Sequence, residues 1–385
     1  MRNVCVFTSS RADFGLLRPV AELIRESSVL RLRLLVTGTH LSADFGYTKS
    51  EIIDAGFTID EEVNIAVSSD TAVSTCASMG LALTRFGEAL TRLNPDVLVL
   101  LGDRYETFCA AAAAQVCHIP VAHIHGGETS QGAFDEAFRH AVSKMSHLHF
   151  VTCEVHRNRV IQLGEQPNHV FNVGALGIQN VRRTQLLGRR ELPTLIRDSD
   201  RPFFLVTFHP ATLDAESAVG QLDALLEAFE AFPDHAVVFT AANADTEGRR
   251  VNTRLDEYVS THRDRAVLTP SMGTQVYLSV MSHADAVIGN SSSGLLEAPI
   301  VLVPTVNIGD RQKGRIRAGS VLDCAAETGA IIETIRLACS DEFQTSLDGL
   351  VHPCEQRDTD LQIVQRLEQV SLDGVLMKAF YDVPR

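Results

Sequence analysis

Residues 97–152 read VLVLLGDRYETFCAAAAAQVCHIPVAHIHGGETSQGAFDEAFRHAVSKMSHLHFVT, and this stretch decides the fold. Val97 to Leu101 is an unbroken apolar run that stops at Gly102 and gives way to a helical pattern. A run of that kind reads as a buried parallel strand feeding a helix. In open α/β sheets the ligand crevice lies at the carboxyl ends of such strands, which places Asp103 there. A second strand, Val121 to Ile124, ends in His125, Gly126, Gly127 and Glu128 and, if parallel, delivers them to the same sheet edge. A helix then carries Asp135, Arg139, His140, Lys144 and His147, with Phe134, Phe138, Ala141 and Met145 as its apolar stripe. Asp135–Arg139, Glu136–His140 and His140–Lys144 are each four apart and can meet on the helix surface. Taken pair by pair this is an ordinary salt-bridged helix. As a set, Asp103, His125, Glu128 and Asp135 form an acid–base cluster whose members shift one another's pKa values.

Working outward, the same strand–helix alternation fills the chain. Val4 to Phe7 precedes a turn with Arg11 and a helix from about Phe14 to Arg25, and Leu32 to Val36 leads to His40. The first turn has no G-x-G-x-x-G, so a dinucleotide fingerprint is absent, and Arg11 is the candidate there for an anionic group. Residues 69 to 93 read as a helix closed by Asn94-Pro95, and Gly174 to Gly177 ends the first domain. A second α/β pattern starts at Phe203 to Phe208 before His209-Pro210, continues through Val237 to Thr240 before Asn243, and reaches Ala286 to Ile288 and Val301 to Val306. The expected division is residues 1–180, residues 181–365, and a C-terminal helix in 366–385 that packs back on the first domain. The fold class is α/β, with two Rossmann-like domains facing a cleft.

Composition narrows the function. A chain of 385 residues suits two domains, and 45% hydrophobic with 21% charged residues is globular rather than disordered. A formal net charge of −14 opposes nucleic acid or an anionic membrane as partner. No stretch approaches the roughly 18 apolar residues of a membrane span. MRNVCVFTSS lacks a signal-peptide pattern, and the eight cysteines contain no C-x-x-C, so reduced thiols and a cytoplasmic location are expected. His123 and His125 form an H-x-H at strand spacing, but no metal site is assigned.

The second chemical feature is Gly289-Asn290-Ser291-Ser292-Ser293-Gly294, between a strand and a helix. Glycines let backbone approach a phosphate, hydroxyls donate, and a helix start favours negative charge. Leu295 and Leu296 stand where a Walker A loop needs Lys and Ser/Thr, which excludes ATP hydrolysis of that type. Glu297 can accept ribose hydroxyls, and His209, Arg311 and Arg315 come from other strand ends of the domain. Together these point to a diphosphate handle.

GDRYE, HIHGGE, DEAFRHAVSKMSHLHF, FHPAT, GNSSSG with EAP, and PTVNIGDRQKGR resemble, in order along essentially the whole chain, the hydrolysing UDP-N-acetylglucosamine 2-epimerases (NeuC-type) of sialic- and legionaminic-acid biosynthesis. The resemblance implies a glycosyltransferase-B arrangement, no cofactor, and a metal-free reaction. UDP is eliminated as the carbon-2 proton leaves, giving 2-acetamidoglucal; water then adds at carbon 1 with protonation of carbon 2 from the other face. It places Asp103 and Asp135 on proton transfer, His209, Ser291, Ser292 and Glu297 on the nucleotide, and Arg11 on the diphosphate. His40, Arg104, Glu106, Arg139, Asn243, Ser293, Gly294, Arg311 and Arg315 complete the substrate-binding candidates. Relatives often carry Glu where this chain has His125, so the second proton transfer falls to His125 or Glu128. The substrate the resemblance implies is UDP-N-acetylglucosamine, or alternatively a UDP- or GDP-linked 2,4-diacetamido-2,4,6-trideoxy sugar. A non-hydrolysing epimerase, a glycosyltransferase and a non-catalytic nucleotide-sugar binding protein are the other readings, since fold alone does not set activity. A homo-oligomer, dimer or tetramer, is implied by the resemblance only.

Overall fold

Val97–Leu101 is a strand with the bounds its apolar run suggests, and parallel neighbours flank it on both sides. The computed structural model describes residues 1–384 except 43–45, 66–70, 132–133, 198–199, 211–216, 243–247 and 271. The described chain divides into two units, each built on a parallel sheet.

The first unit comprises Met1–Glu128, Asp135–Gln179 and Cys354–Arg385. Its strands are β1 (Arg2–Thr8), β2 (Leu30–Thr37), β3 (Glu61–Val63), β4 (Val97–Leu101), β5 (Val121–Ile124), β6 (Leu148–Val151) and β7 (Val170–Asn172), in the spatial order β3-β2-β1-β4-β5-β6-β7. The order reverses between β1 and β4, where Val4 to Val6 pair with Val97 to Val99. Doubly wound sheets bind ligands beyond the strand ends at such a switch point. Asp103 leaves β4 there, which is the physical reason this carboxylate is a candidate. Both faces of the sheet are covered, so β4 presents Val97, Leu98, Val99 and Leu100 fully buried rather than alternating. The helix Ala72–Leu93 starts at the Thr71 cap and ends with Asn94 in the left-handed region at φ 43°. Asn tolerates that conformation, and Pro95 then prevents the helix from continuing.

The second unit comprises Thr129–Phe134 and Asn180–Pro353. Its strands are β8 (Phe203–Thr207), β9 (Ala236–Thr240), β10 (Ala266–Thr269), β11 (Ala286–Gly289), β12 (Thr305–Ile308) and β13 (Val321–Cys324), in the order β10-β9-β8-β11-β12-β13. The switch point lies between β8 and β11, whose last residues Thr207 and Gly289 are in register. Gly289 has φ +132°, and a Cβ there would lie 2.1 Å from the Thr207 carbonyl oxygen. No side chain fits where these two strand ends converge. The strand expected at Val301 to Val306 is instead a 3-10 turn, Ala298–Val301, followed by β12, because Pro299 and Pro304 both lack the amide hydrogen a ladder needs.

The C-terminal segment rejoins the first unit at Cys354, ahead of the expected residue 366. Helix Thr359–Gln369 packs on helix Arg11–Glu26, and the Arg2 guanidinium donates to the carbonyls of Leu367 and Val370. Residues 370–384 contain no helix, contrary to the C-terminal helix expected in 366–385. Lys378 binds the carbonyls of Lys144 and Ser146 and the carboxylate of Glu165 at 2.6–2.9 Å. Side-chain anchoring thus replaces helical hydrogen bonds in this tail.

Candidate active site

One guanidinium organises the acid–base candidates of the first unit. Arg139, in the helix Asp135–Met145, is only 2% exposed and ion-pairs with Asp103 from the end of β4. It donates to the His125 carbonyl at 3.2 Å and lies 3.8 Å from the Glu128 carboxylate. Burial opposes its charge, but Asp103, then Glu128, Glu136 and Asp135 more than restore it. A fixed positive charge among carboxylates lets several anions crowd one place that would otherwise repel one another. Asp135 is half-buried at the start of the same helix, one turn before Arg139.

His125 has φ +64°, a left-handed conformation uncommon for a residue with a side chain. Its Nε2 accepts from the Leu176 amide at 3.3 Å, and its Nδ1 stands 3.6 Å from Glu128. An Nε2 that accepts a backbone hydrogen bond is unprotonated, which puts the ring proton of the neutral form on Nδ1, facing Glu128. His123, the other half of the H-x-H, is fully buried between Ser143 (3.2 Å) and the Gly102 carbonyl (2.8 Å). Burial holds its pKa down at about 3, so it is a neutral brace under the Asp103 turn. Lys144 does not meet His140; it turns to Glu165 at 2.8 Å, while Glu136 and His140 do pair at 3.1 Å.

The remaining candidates of this unit are spread more widely. Arg11 is the first, exposed residue of its helix, which begins three positions before the expected Phe14. The anion position in that turn is partly filled from within: the Asp13 carboxylate accepts from the Ser9 amide (2.9 Å) and hydroxyl (3.0 Å). Asp13, missed in the sequence reading, belongs to an S-x-x-D cap that its spacing could have revealed. His40 is fully buried with Nε2 3.0 Å from Thr8 and Nδ1 2.9 Å from Thr48. Both ring nitrogens are engaged within the protein, so it braces the ends of β1 and β2. Glu106, 1% exposed, accepts from Arg104 at 3.2 and 3.3 Å.

In the second unit the centre is Asn290, also missed in the sequence reading. Its side chain accepts from the His209 amide at 2.7 Å and donates to the His209 carbonyl at 2.8 Å, locking the ends of β8 and β11 together. Its own carbonyl receives Arg311 at 3.0 Å and Gln312 at 2.7 Å. Burial, with Arg311 nearby, lowers His209 to about 3, so it is neutral across the working pH range. Ser291 caps the short helix Ser292–Leu296, and its hydroxyl is 3.1 Å from that of Ser293, which meets Tyr277 at 2.6 Å. Gly294 lies against Thr305, whose hydroxyl donates to its carbonyl at 2.7 Å. Arg315 donates to Ser130 at 2.9 Å, and Thr129 donates to the Gly314 carbonyl at 2.5 Å. The segment after HIHGGE is therefore built into this unit's 310–315 loop. Asn243 lies outside the described residues.

Glu297 ends the Ser292–Leu296 helix with part of its surface reaching solvent, and burial raises its pKa to about 7. A raised carboxyl pKa means that the charged form costs stability. The cost is absent below the ordinary value of 4.5, grows as pH rises, and is complete above about 7. Glu297→Gln should therefore stabilise the protein at pH 8 and not at pH 4, by on the order of 1 kcal/mol after allowing for solvent screening. Thermal melts of both proteins at the two pH values check this; an equal shift at both would remove the titration argument.

The chain matches the family model described as UDP-N-acetylglucosamine 2-epimerase over residues 22–368. It is 37% identical to the GDP/UDP-N,N'-diacetylbacillosamine 2-epimerase (hydrolyzing) of Campylobacter jejuni, covering 99% of both chains. It is 35% identical to polysialic acid biosynthesis protein P7 of Escherichia coli, covering 100% of this chain and 98% of that protein. Its fold matches the crystal structure of UDP-GlcNAc 2-epimerase from Neisseria meningitidis bound to UDP-GlcNAc, with a TM-score of 0.80 at 17% identity over 96% of this chain and 100% of that one.

Proposed function

The chain belongs to the UDP-N-acetylglucosamine 2-epimerase family, and from that membership we propose that it is a hydrolysing 2-epimerase, converting UDP-N-acetylglucosamine and water to N-acetylmannosamine and UDP. The observation that carries this reading is the gathering of Asp103, Glu128 and Asp135 about the buried charge of Arg139. Elimination needs a base for the carbon-2 proton, and hydration needs an acid on the opposite face of the sugar. Asp103 and Asp135, one at the end of β4 and one at the start of the helix after β5, supply two separate groups for these steps. Glu128 is preferred to His125 as a further proton carrier, because the Nε2 of His125 is occupied by the Leu176 amide.

The nucleotide is assigned to the loops that Asn290 ties together, with Ser291, Ser292, Ser293 and Gly294 beside the diphosphate and Glu297 on the ribose. Arg311 and Arg315 offset the charge of the departing UDP. His209→Ala should weaken UDP binding by about tenfold or more, equally at pH 6 and pH 8, since a side chain with a pKa of about 3 stays neutral at both. Calorimetric titration with UDP reads this directly; unchanged affinity would move the handle elsewhere.

A second reading keeps the chemistry and changes the sugar to a UDP- or GDP-linked 2,4-diacetamido-2,4,6-trideoxyhexose. It is favoured by the activity for which the Campylobacter jejuni relative is named. The deciding experiment is a proton NMR time course with each nucleotide sugar in deuterium oxide. UDP with N-acetylmannosamine deuterated at carbon 2 is the expected outcome. Turnover of the diacetamido substrate alone would select the second reading, and UDP-N-acetylmannosamine would identify a non-hydrolysing epimerase. No turnover of any of them would overturn the proposal.

A further inference from the structure

The first unit contains another cluster of chemically capable side chains, for which the epimerase reaction has no use. Cys153 directly precedes the helix Glu154–Gln162, which follows β6; His156 lies in the first turn of that helix; Cys354 arrives where the C-terminal segment rejoins the unit. One ligand atom from each of the three lies within 4.8 Å of the other two. They are 5%, 3% and 2% exposed. The Thr152 hydroxyl stands 2.6 Å from Nδ1 of His156 and fixes the ring, the kind of supporting contact that metal-binding imidazoles have.

We propose that Cys153, His156 and Cys354 bind a thiophilic d¹⁰ cation, Zn²⁺, as a Cys₂His site. Two sulfurs and an imidazole nitrogen are the donor set that zinc selects over the hard, oxygen-seeking cations. The two thiolates balance the charge of the ion, so a nearly dry site carries no net burden. Zinc entry forms two zinc–thiolate bonds and releases the thiol protons to solvent.

The ion would tie together segments that bear on the acid–base cluster. A Cβ on Gly127 would lie 2.6 Å from the His156 carbonyl oxygen, and Arg159 of the same helix donates to the Gly127 carbonyl. The Cys354 carbonyl accepts from Ala175 at 3.0 Å, next to the Leu176 amide that holds His125. Zinc at this point acts on the position of the His125–Glu128 turn and takes no part in the chemistry assigned above.

Cobalt substitution tests the proposal without an activity assay. One equivalent of Co²⁺ added to the reduced, chelator-treated full chain should give a thiolate-to-cobalt charge-transfer band, released by one equivalent of Zn²⁺. Cys153→Ser and Cys354→Ser should each weaken Co²⁺ binding by at least about tenfold and lower the band per bound ion, while Cys76→Ser, at an exposed cysteine, should leave both unchanged. The wild-type spectrum alone decides the matter if either variant fails to fold. Absence of the band, its survival in the double variant, or a Cys153–Cys354 disulfide forming in place of metal binding would each overturn the assignment.

Discussion

Asp103→Asn is expected to lower kcat by roughly 10²–10⁴-fold while leaving the affinity for UDP unchanged. Asn has the shape of Asp and keeps an oxygen that can accept from Arg139, so the turn after β4 survives; what disappears is the ability to take up a proton. The groups assigned to the nucleotide, His209, Asn290 and Glu297, all belong to the other unit, which this substitution does not touch. Asp135→Asn should behave alike, because elimination and reprotonation on opposite faces require two groups rather than one. The measurements are steady-state turnover and UDP binding by calorimetry on the same preparations. A kcat within tenfold of the parent in both variants would take these carboxylates out of proton transfer. Loss of UDP affinity alongside kcat would mean that Asp103 supports binding, and the role given to it would fail differently.

Much of the placement of these candidate residues was legible in the sequence, for a physical reason. Parallel strands buried on both faces are continuous apolar runs, so Val97–Leu101 and Val121–Ile124 could be bounded to the residue, and Asp103, His125 and Glu128 follow them directly. Spacing on one helix likewise joined Asp135 to Arg139. The structure adds what depends on contacts between distant segments. Arg139 as the common partner of Asp103 and Glu128 requires β4, β5 and the helix after β5 to be brought together. Asn290 has no role of its own within the GNSSSG turn as a sequence; only the register of β8 with β11 sets it against His209. Nothing local to His40 shows that Thr8 and Thr48 meet both of its nitrogens. Cys153 and His156 have a suggestive spacing, but the third member of their cluster, Cys354, comes from the far end of the chain. The C-terminal helix expected in 366–385 stops at Gln369, and Leu376, Met377, Phe380 and Val383 beyond it stay exposed instead of forming a buried apolar stripe.

Arg139→Met carries the largest expected effect on stability, a loss of about 3–5 kcal/mol. The side chain is nearly inaccessible and serves Asp103, Glu128 and the His125 carbonyl at once. Methionine fills similar volume, so the loss is not one of packing; it comes from leaving carboxylates in a confined place with no positive charge among them. Arg139→Lys should recover only part, because one ammonium cannot reproduce the planar fork that reaches several oxygens. One further observation separates this account from simple damage to the core. Asp103→Asn should cost less, or even stabilise, when combined with Arg139→Met than alone, since it removes one of the stranded charges. Urea unfolding of the parent, both single variants and the double variant at pH 7.5 gives these quantities. A deficit below about 1 kcal/mol, the level of an exposed ion pair, or additive costs in the double variant would mean that Arg139 does not neutralise the cluster, and the acid–base site would need another organising charge.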